Sequence, residues 1–271
     1  MTTPRQPKLR LKDRKRRLMW VKVAAGSSVV ALSIGLIWYG SHVSEVIISK
    51  VEVTGTQIVS TDAVKNETEA LLKGSYAYFI PRANSFVYPK TDIKNAILKK
   101  LPPVESVEIE RDGLTALKVV VTERKPVALW CGDVIPESEQ LNCYLLDANG
   151  FIFGIADSQN NYIRFYGHIS GEPVGQTYLS GTFTPLFGLV RDISTAIRMT
   201  PTSLTADKNT NDMTLRFDNG GELRFVFTEN RQATLENIAS VFASQSFKTN
   251  KNFEYVDFRF GDKVYVKFKG E

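Results

Sequence analysis

Histidine and cysteine are nearly missing from this chain, with two of each among 271 residues. That scarcity argues against a zinc centre, whose four ligands come mainly from Cys and His. His42 lies where an apolar run ends, a poor place for a general base. His168 sits in the strand-like stretch FYGHI, where a surface or hydrogen-bonded role is expected rather than catalysis. G-x-S-x-G, H-E-x-x-H and glycine-rich phosphate loops are all lacking. Carboxylates are plentiful, but no spacing sets one pair apart. The expectation is a protein that is not an enzyme, with no cofactor, metal or small-molecule substrate.

A net positive charge is confined to one segment. The net charge of +5 hides the imbalance: residues 1–22 hold nine Lys/Arg against Asp13 alone, so the rest of the chain is mildly acidic. A basic tail suits nucleic acid, an anionic membrane or plain solvation. Its neighbour favours the membrane. Val23 to Tyr39, VAAGSSVVALSIGLIWY, has no charged residue. As a helix it covers roughly 26 Å and, with Trp20 and Val43 at its ends, approaches a hydrocarbon core of about 30 Å. Trp20, Trp38 and Tyr39 stand where interfacial aromatics belong, and the basic side should stay cytoplasmic. The GSHVSEV that follows has no A-x-A cleavage pattern, so an uncleaved anchor is preferred to a signal peptide. The body is then extracytoplasmic. There Cys131 and Cys143 are expected to bridge, two free thiols being the alternative. Nucleic-acid readout is not expected, since the body is acidic and has no basic-aromatic stripe.

Along the body, KVEVTG reads as a strand ending at Gly55. Ser60 or Thr61 caps a helix through Val64 and Leu72, stopped by Gly74. The aromatic stretch SYAYFIPRANSFVYP reads as a loop. A second helix starts at Thr91 or Asp92, carries Ile93, Ile97 and Leu101, and ends at Pro102–Pro103. Strands at 104–110 and 114–123 flank an Asp112–Gly113 turn. In VVVTERKPVALW (119–130) the strand ends at a charged joint, and Pro126 interrupts pairing. Beyond it come a hairpin about Asn149–Gly150 and a strand in NYIRFYGHI. A helix follows with Pro185 at its first position, burying Leu186, Leu189, Val190, Ile193 and Ile197. A hairpin about Asn219–Gly220 and a helix carrying Leu235, Ile238, Ala239 and Phe242 come next. A last hairpin turns at Gly261–Asp262. Val256, Phe258 and Phe260, with Val264, Val266 and Phe268, are expected on the core. Lys263, Tyr265, Lys267 and Lys269 face outward. Its edge offers backbone groups to a partner strand, or its lysines guard it against aggregation. Asn66–Glu67–Thr68 fits a glycosylation sequon, relevant only in a eukaryotic secretory route.

Basic tail, single span, β-α-α-β-β unit and strand-rich terminal unit, in that order, resemble the FtsQ/DivIB family of bacterial cell-division proteins. The residues carrying the resemblance are VEVTG at 51–55, VVVTERKPVALW at 119–130, LLDANGFIF at 145–153 and YVDFRFGDKVYVKF at 255–268. It implies an α+β fold. Residues 1–22 form a cytoplasmic tail, 23–43 a transmembrane helix and 44–124 a POTRA-like (polypeptide-transport-associated) domain. Residues 125–271 form a β-rich domain with helices on an extended, mainly antiparallel sheet. It also implies a non-enzymatic scaffold at the division septum that binds FtsB- and FtsL-like proteins, partly by a strand added to the last hairpin. The matching positions are Arg259, Phe260, Gly261, Asp262, Lys263, Val264, Tyr265 and Val266, with Arg259 available to a partner carboxylate and Phe260 to packing. The Cys131–Cys143 loop and the Gly-Asp-Lys turn depart from that pattern. A POTRA protein of secretion or envelope assembly and a cell-wall enzyme are the competing readings.

Overall fold

The computed structural model describes residues 11–136, 142–157, 161–249 and 252–270, so the first ten residues of the basic tail lie outside it. Helix α1 (Leu11–Ser41) takes up the apolar run. Its Arg14–Ser41 portion is long and apolar enough to cross a membrane, and its large side chains from Leu18 to Tyr39 are uncovered. A helix apolar all round either is buried in protein or faces lipid, and among the described residues nothing buries the apolar window of this one.

The contacts divide the chain into two compact units. The first runs to Ile97 and takes in Val107–Val121; the second comprises Leu98–Ser106 and everything from Thr122. After α1 come β1 (Lys50–Thr54), α2 (Thr61–Leu72), β2 (Ser75–Tyr76), β3 (Ile80–Pro81), α3 (Lys90–Lys100), β4 (Val104–Asp112) and β5 (Ala116–Glu123). One sheet has the order β1-β5-β4. β1 runs parallel to β5, Val51 beside Leu117 and Val53 beside Val119. Alternation places Leu117, Val119 and Val121 inward, and Val64, Ile93 and Ile97 of the two helices are fully buried. Thr68 is also buried, its hydroxyl donating to the Val64 carbonyl, so the Asn66–Glu67–Thr68 triplet is part of a helix and not a loop acceptor.

The stretch expected as plain loop contains a small hairpin, β2 with β3. Phe79 N–H donates to the Tyr76 carbonyl across Ala77 (φ 46°) and Tyr78 (φ 61°). Hairpin turns of this hand favour Asn and Gly. An L side chain at such a φ costs about 1–2 kcal/mol. The helix boundaries also shift: α3 starts at Lys90, before Thr91.

The second unit continues with β6 (Ala128–Trp130), β7 (Tyr144–Leu146), β8 (Ile152–Ile155), β9 (Arg164–Tyr166), α4 (Phe183–Ile197), β10 (Pro201–Ala206), β11 (Asp212–Phe217), β12 (Glu222–Val226), α5 (Arg231–Phe242), α6 (Gln245–Thr249), β13 (Phe253–Phe260) and β14 (Lys263–Phe268). Its nine strands form one sheet, β14-β13-β12-β11-β10-β9-β6-β7-β8. Hairpin pairs are antiparallel, whereas β6–β9, β9–β10 and β12–β13 are parallel. These are the joins made by longer connections, as parallel pairing requires. Pro185 is the third residue of α4 and not the first; it is tolerated there because first-turn N–H groups have no intrahelical partner.

Period-two alternation sends Met213, Leu215 and Phe217 of β11 and Leu223 and Phe225 of β12 to one face. There they meet Phe183, Leu186, Leu189, Val190 and Ile193 of α4 and Ile238 of α5. Complete burial of such side chains contributes about 1.5–3 kcal/mol each. β6 does not alternate in polarity because both of its faces are covered. Ala128 and Trp130 join the main core, while Leu129 and Cys131 pack with Cys143 and Tyr166 on the other side. Cys131 and Cys143 are joined by a disulfide within that second cluster.

The charged joint is ordered by Arg124. Its backbone N–H donates to the Pro103 carbonyl and its Nε to the Pro102 carbonyl, at 2.8 and 3.1 Å. Leu98–Ser106, which holds both prolines, belongs to the second unit. Nη1 donates to Asp147 at 2.5 Å, and the guanidinium lies 4.1 Å from the Phe151 ring centre. Asp147 is 4% exposed, and its other oxygen accepts the Asn149 and Phe151 N–H groups. Lys125, beside Arg124, is exposed.

Candidate functional site

A sheet of nine strands has two edges, and an open edge is a row of unpaired backbone donors and acceptors. At the β8 edge, Ile152 N–H donates to the Gln176 carbonyl and Gly175 N–H to the Ile152 carbonyl, both at 2.8 Å. An isolated bridge between Phe151 and Thr177 extends the cover. The 173–178 segment therefore covers the start of β8, at Ile152. At the other edge, β14 pairs only with β13. Among the described residues, Lys263–Phe268 make no backbone hydrogen bond outside that pairing. Among the described residues, the edge formed by the last hairpin is open along its whole length.

The hairpin differs from its sequence expectation in three respects. Phe260 does not reach the core; it is 56% exposed. The register shifts between Asp257 and Phe260, which breaks the alternation begun at Val256 and Phe258. Phe260 stands edge-on to Tyr265, ring centres 5.1 Å apart, and the two form an exposed aromatic pair beside the turn. Val266 is likewise surface-accessible, whereas Val264 and Phe268 pack against the core.

Arg259 is the third. Within the fold it already meets two carboxylates. Nε and Nη2 donate to the two oxygens of Asp257 at 2.9 and 2.7 Å, and Nη1 donates to Asp212 on β11 at 3.1 Å. These bonds, the Asp257 side chain foremost, raise the guanidinium's affinity for its proton still further. Burial pushes the Asp257 carboxyl up, but its hydrogen bonds from the Arg259 side chain and N–H outweigh this and hold it below the ordinary carboxylate range. Arg259 therefore acts as a clamp between strands.

The clamp continues as a ladder that sequence reading missed. Arg216 and Arg224 both grip Glu222, at 2.9 and 2.7 Å, and Arg224 lies 4.7 Å over the Tyr255 ring. Burial pushes Glu222 up and the two arginines more than compensate. The polar positions of β11, β12 and β13 thus pair with each other on the face opposite the helices. The alternation R-F-D…E-L-R carries a signal for this, though not for which partners meet.

Lys263 is exposed at the turn, with Gly261 at φ 64° next to Asp262. Lys267 is tied to Glu254 at 2.7 Å, which raises its pKa, and Lys269 Nζ donates to the Asn219 carbonyl. The edge therefore presents Phe260, Lys263, Tyr265 and Val266. Gly261 and Asp262 make its corner, and Val264 and Arg259 anchor it from within.

His168 has a second arrangement around it. Its Nδ1 lies 2.8 Å from Asp133 and its Nε2 3.0 Å from the Ser170 hydroxyl. The hydrogen bond to His168 holds Asp133 below its ordinary pKa. The order Ser-His-Asp is that of an activated nucleophile, but the carboxylate is half exposed to water, where it loses the low-dielectric setting that makes such a relay effective. Among the described residues no group of three or more His, Cys, Asp or Glu is placed to hold a metal ion.

No protein-family model matches the chain, and no curated protein is significantly similar to it.

Proposed function

We propose that this protein is a non-enzymatic, membrane-anchored scaffold of the bacterial division machinery, of the FtsQ/DivIB kind. α1 spans the cytoplasmic membrane with its basic side inward, and the first unit serves as a POTRA-like domain that aids recruitment to the septum. The second unit captures an FtsB/FtsL-like partner by strand addition along β14. The observation that supports this best is the edge strand β14, whose Lys263–Phe268 backbone pairs with β13 alone among the described residues, whereas β8 is partly covered by its own chain. Backbone pairing supplies affinity in such complexes, and exposed side chains along the strand supply selectivity. Here those are the Phe260–Tyr265 pair, Lys263 and Val266.

Ending the chain at Gly261 removes β14 and is expected to abolish capture of an FtsB-like partner in a pull-down. Tyr265→Asp tests the same edge with less disturbance, since that side chain is exposed. It is expected to weaken capture while Trp130 fluorescence stays native. Undiminished binding by both variants refutes strand addition, and uniform distribution of the full chain around dividing cells refutes the division role.

One observation favours a hydrolytic reading, the Asp133–His168–Ser170 chain of hydrogen bonds. Cleavage of wall fragments by the purified protein, lost on Ser170→Ala, would establish it in place of the scaffold.

A further inference from the structure

The exposed apolar residues of the first unit are unevenly placed. Among the described residues outside α1, seven large ones are exposed: Ile58, Tyr76, Tyr78, Phe79, Phe86, Val87 and Leu114. Six of them gather at one end. β3 packs against α1, and the Asn84 side chain donates to the carbonyl of Ser41, the last residue of that helix, at 3.1 Å. Ser85 N–H donates to the Val46 carbonyl and Ile48 N–H to the Ala83 carbonyl, both at 2.8 Å. The aromatic stretch is thereby fastened to the exit of α1. The β4–β5 turn lies at the same end, since Ser49 and Lys50 N–H both reach the Thr115 carbonyl. Only Ile58 stands apart, beyond the far end of β1, roughly 17 Å along the strand.

These residues carry the composition of an interfacial surface. Tyr78 is 98% exposed at the tip of a turn whose left-handed backbone suits glycine better. The fold thus holds an aromatic ring fully in solvent on strained backbone. Arg82 lies 5.4 Å from the Tyr76 ring centre and Arg111 5.6 Å from that of Phe86. Aromatic rings with arginines are what the headgroup layer of a bilayer accommodates, the guanidinium groups meeting phosphate. Trp38 and Tyr39, near the end of α1, are exposed as well.

We propose that the 76–87 stretch, with Leu114, rests in the extracytoplasmic headgroup layer of the bilayer that α1 crosses, so that the first unit lies against the membrane. The occupant is phospholipid, because the patch is tied to the one segment that already meets lipid. The inference rests on the reading of α1 as a membrane span.

The test uses the full chain in phosphatidylcholine nanodiscs with an environment-sensitive fluorophore at one of three introduced cysteines: Val30→Cys within α1, Tyr78→Cys at the tip, or Ile58→Cys at the opposite end. Lipids carrying a quencher near the headgroup end of the acyl chain are then added. The expected result is loss of fluorescence and a blue-shifted emission at position 78, with position 58 unaffected and position 30 shielded from an aqueous quencher. Shielding at 30 with position 78 behaving like 58 overturns this inference alone. Access of aqueous quencher to position 30 overturns the membrane span, and this inference with it.

Discussion

Arg124→Met should remove one of the strongest single interactions in the second unit. The guanidinium is mostly buried and contacts Asp147 at 2.5 Å, the Pro102 carbonyl at 3.1 Å and the Phe151 ring. Removing one partner of a buried pair costs about 3–5 kcal/mol, because the other charge is left uncompensated. Methionine keeps contact with the Phe151 ring, and Asp147 keeps its two N–H donors. Both place the loss at the lower end, about 3 kcal/mol. The assay is urea unfolding followed by Trp130 fluorescence, with Trp20 and Trp38 replaced by Phe so that one tryptophan remains. Trp130 is buried and its indole N–H donates to the Gly167 carbonyl, so it reports on its own unit. With a denaturant slope of about 2 kcal/mol per molar, the midpoint should fall by about 1.5 M. Asp147→Asn should cost about 2 kcal/mol, and the double variant less than the sum by about 2 kcal/mol. Lys125→Met, next door and exposed, should change stability by no more than about 0.5 kcal/mol. A loss below about 1 kcal/mol for Arg124→Met, the scale of a surface pair, would refute the reasoning.

Other outcomes follow from the same physics. Replacing Cys131 and Cys143 by serine opens a bridge between residues 12 apart and should cost about 3 kcal/mol, measured as a lower unfolding midpoint that reductant no longer alters. Gly150→Ala should cost about 2–4 kcal/mol: at φ 80° its new methyl carbon meets the Tyr178 carbonyl at 2.6 Å and Phe183 at 2.8 Å. Asp257 titrates below the ordinary range in the folded protein, so its stabilisation is present above the unfolded value near 3.9 and is lost as pH falls below it. Asp257→Asn should therefore lower stability at neutral pH and flatten its decline between about pH 5 and pH 2, read by thermal melts across that range.

Much of the fold was legible because its signals are local. Alternation in MTLRFDNGGELRFVF marks two strands and their turn, and Gly113, Gly150 and Gly220 stand at positive φ where turns were expected. What escaped depends on residues distant in the chain. Arg259 reads as a free cation until Asp212, 47 residues away, is brought beside it. Phe260 reads as a core residue until a register shift turns it out. The three parallel pairings, and the cover that 173–178 gives β8, likewise arise from tertiary placement. His168 reads as a surface or hydrogen-bonded strand residue; it lies just past β9, and its hydrogen-bond partners Asp133 and Ser170 come from two separate loops.

The parallel join between β12 and β13 has a consequence for the order in which the protein is made. Leu223 and Val256 are neighbours in the sheet, yet the ribosome delivers them far apart in time. Phe253 packs edge-on against Phe217, Phe242 and Phe247. Until residues 253–268 emerge, those rings have no lid and β12 is a bare hydrophobic border. A nascent chain stalled before Phe253 is thus a sticky, half-closed sheet, the kind of species chaperones and proteases seize. The same hairpin that forms an open edge of the sheet is also the part whose arrival closes its core.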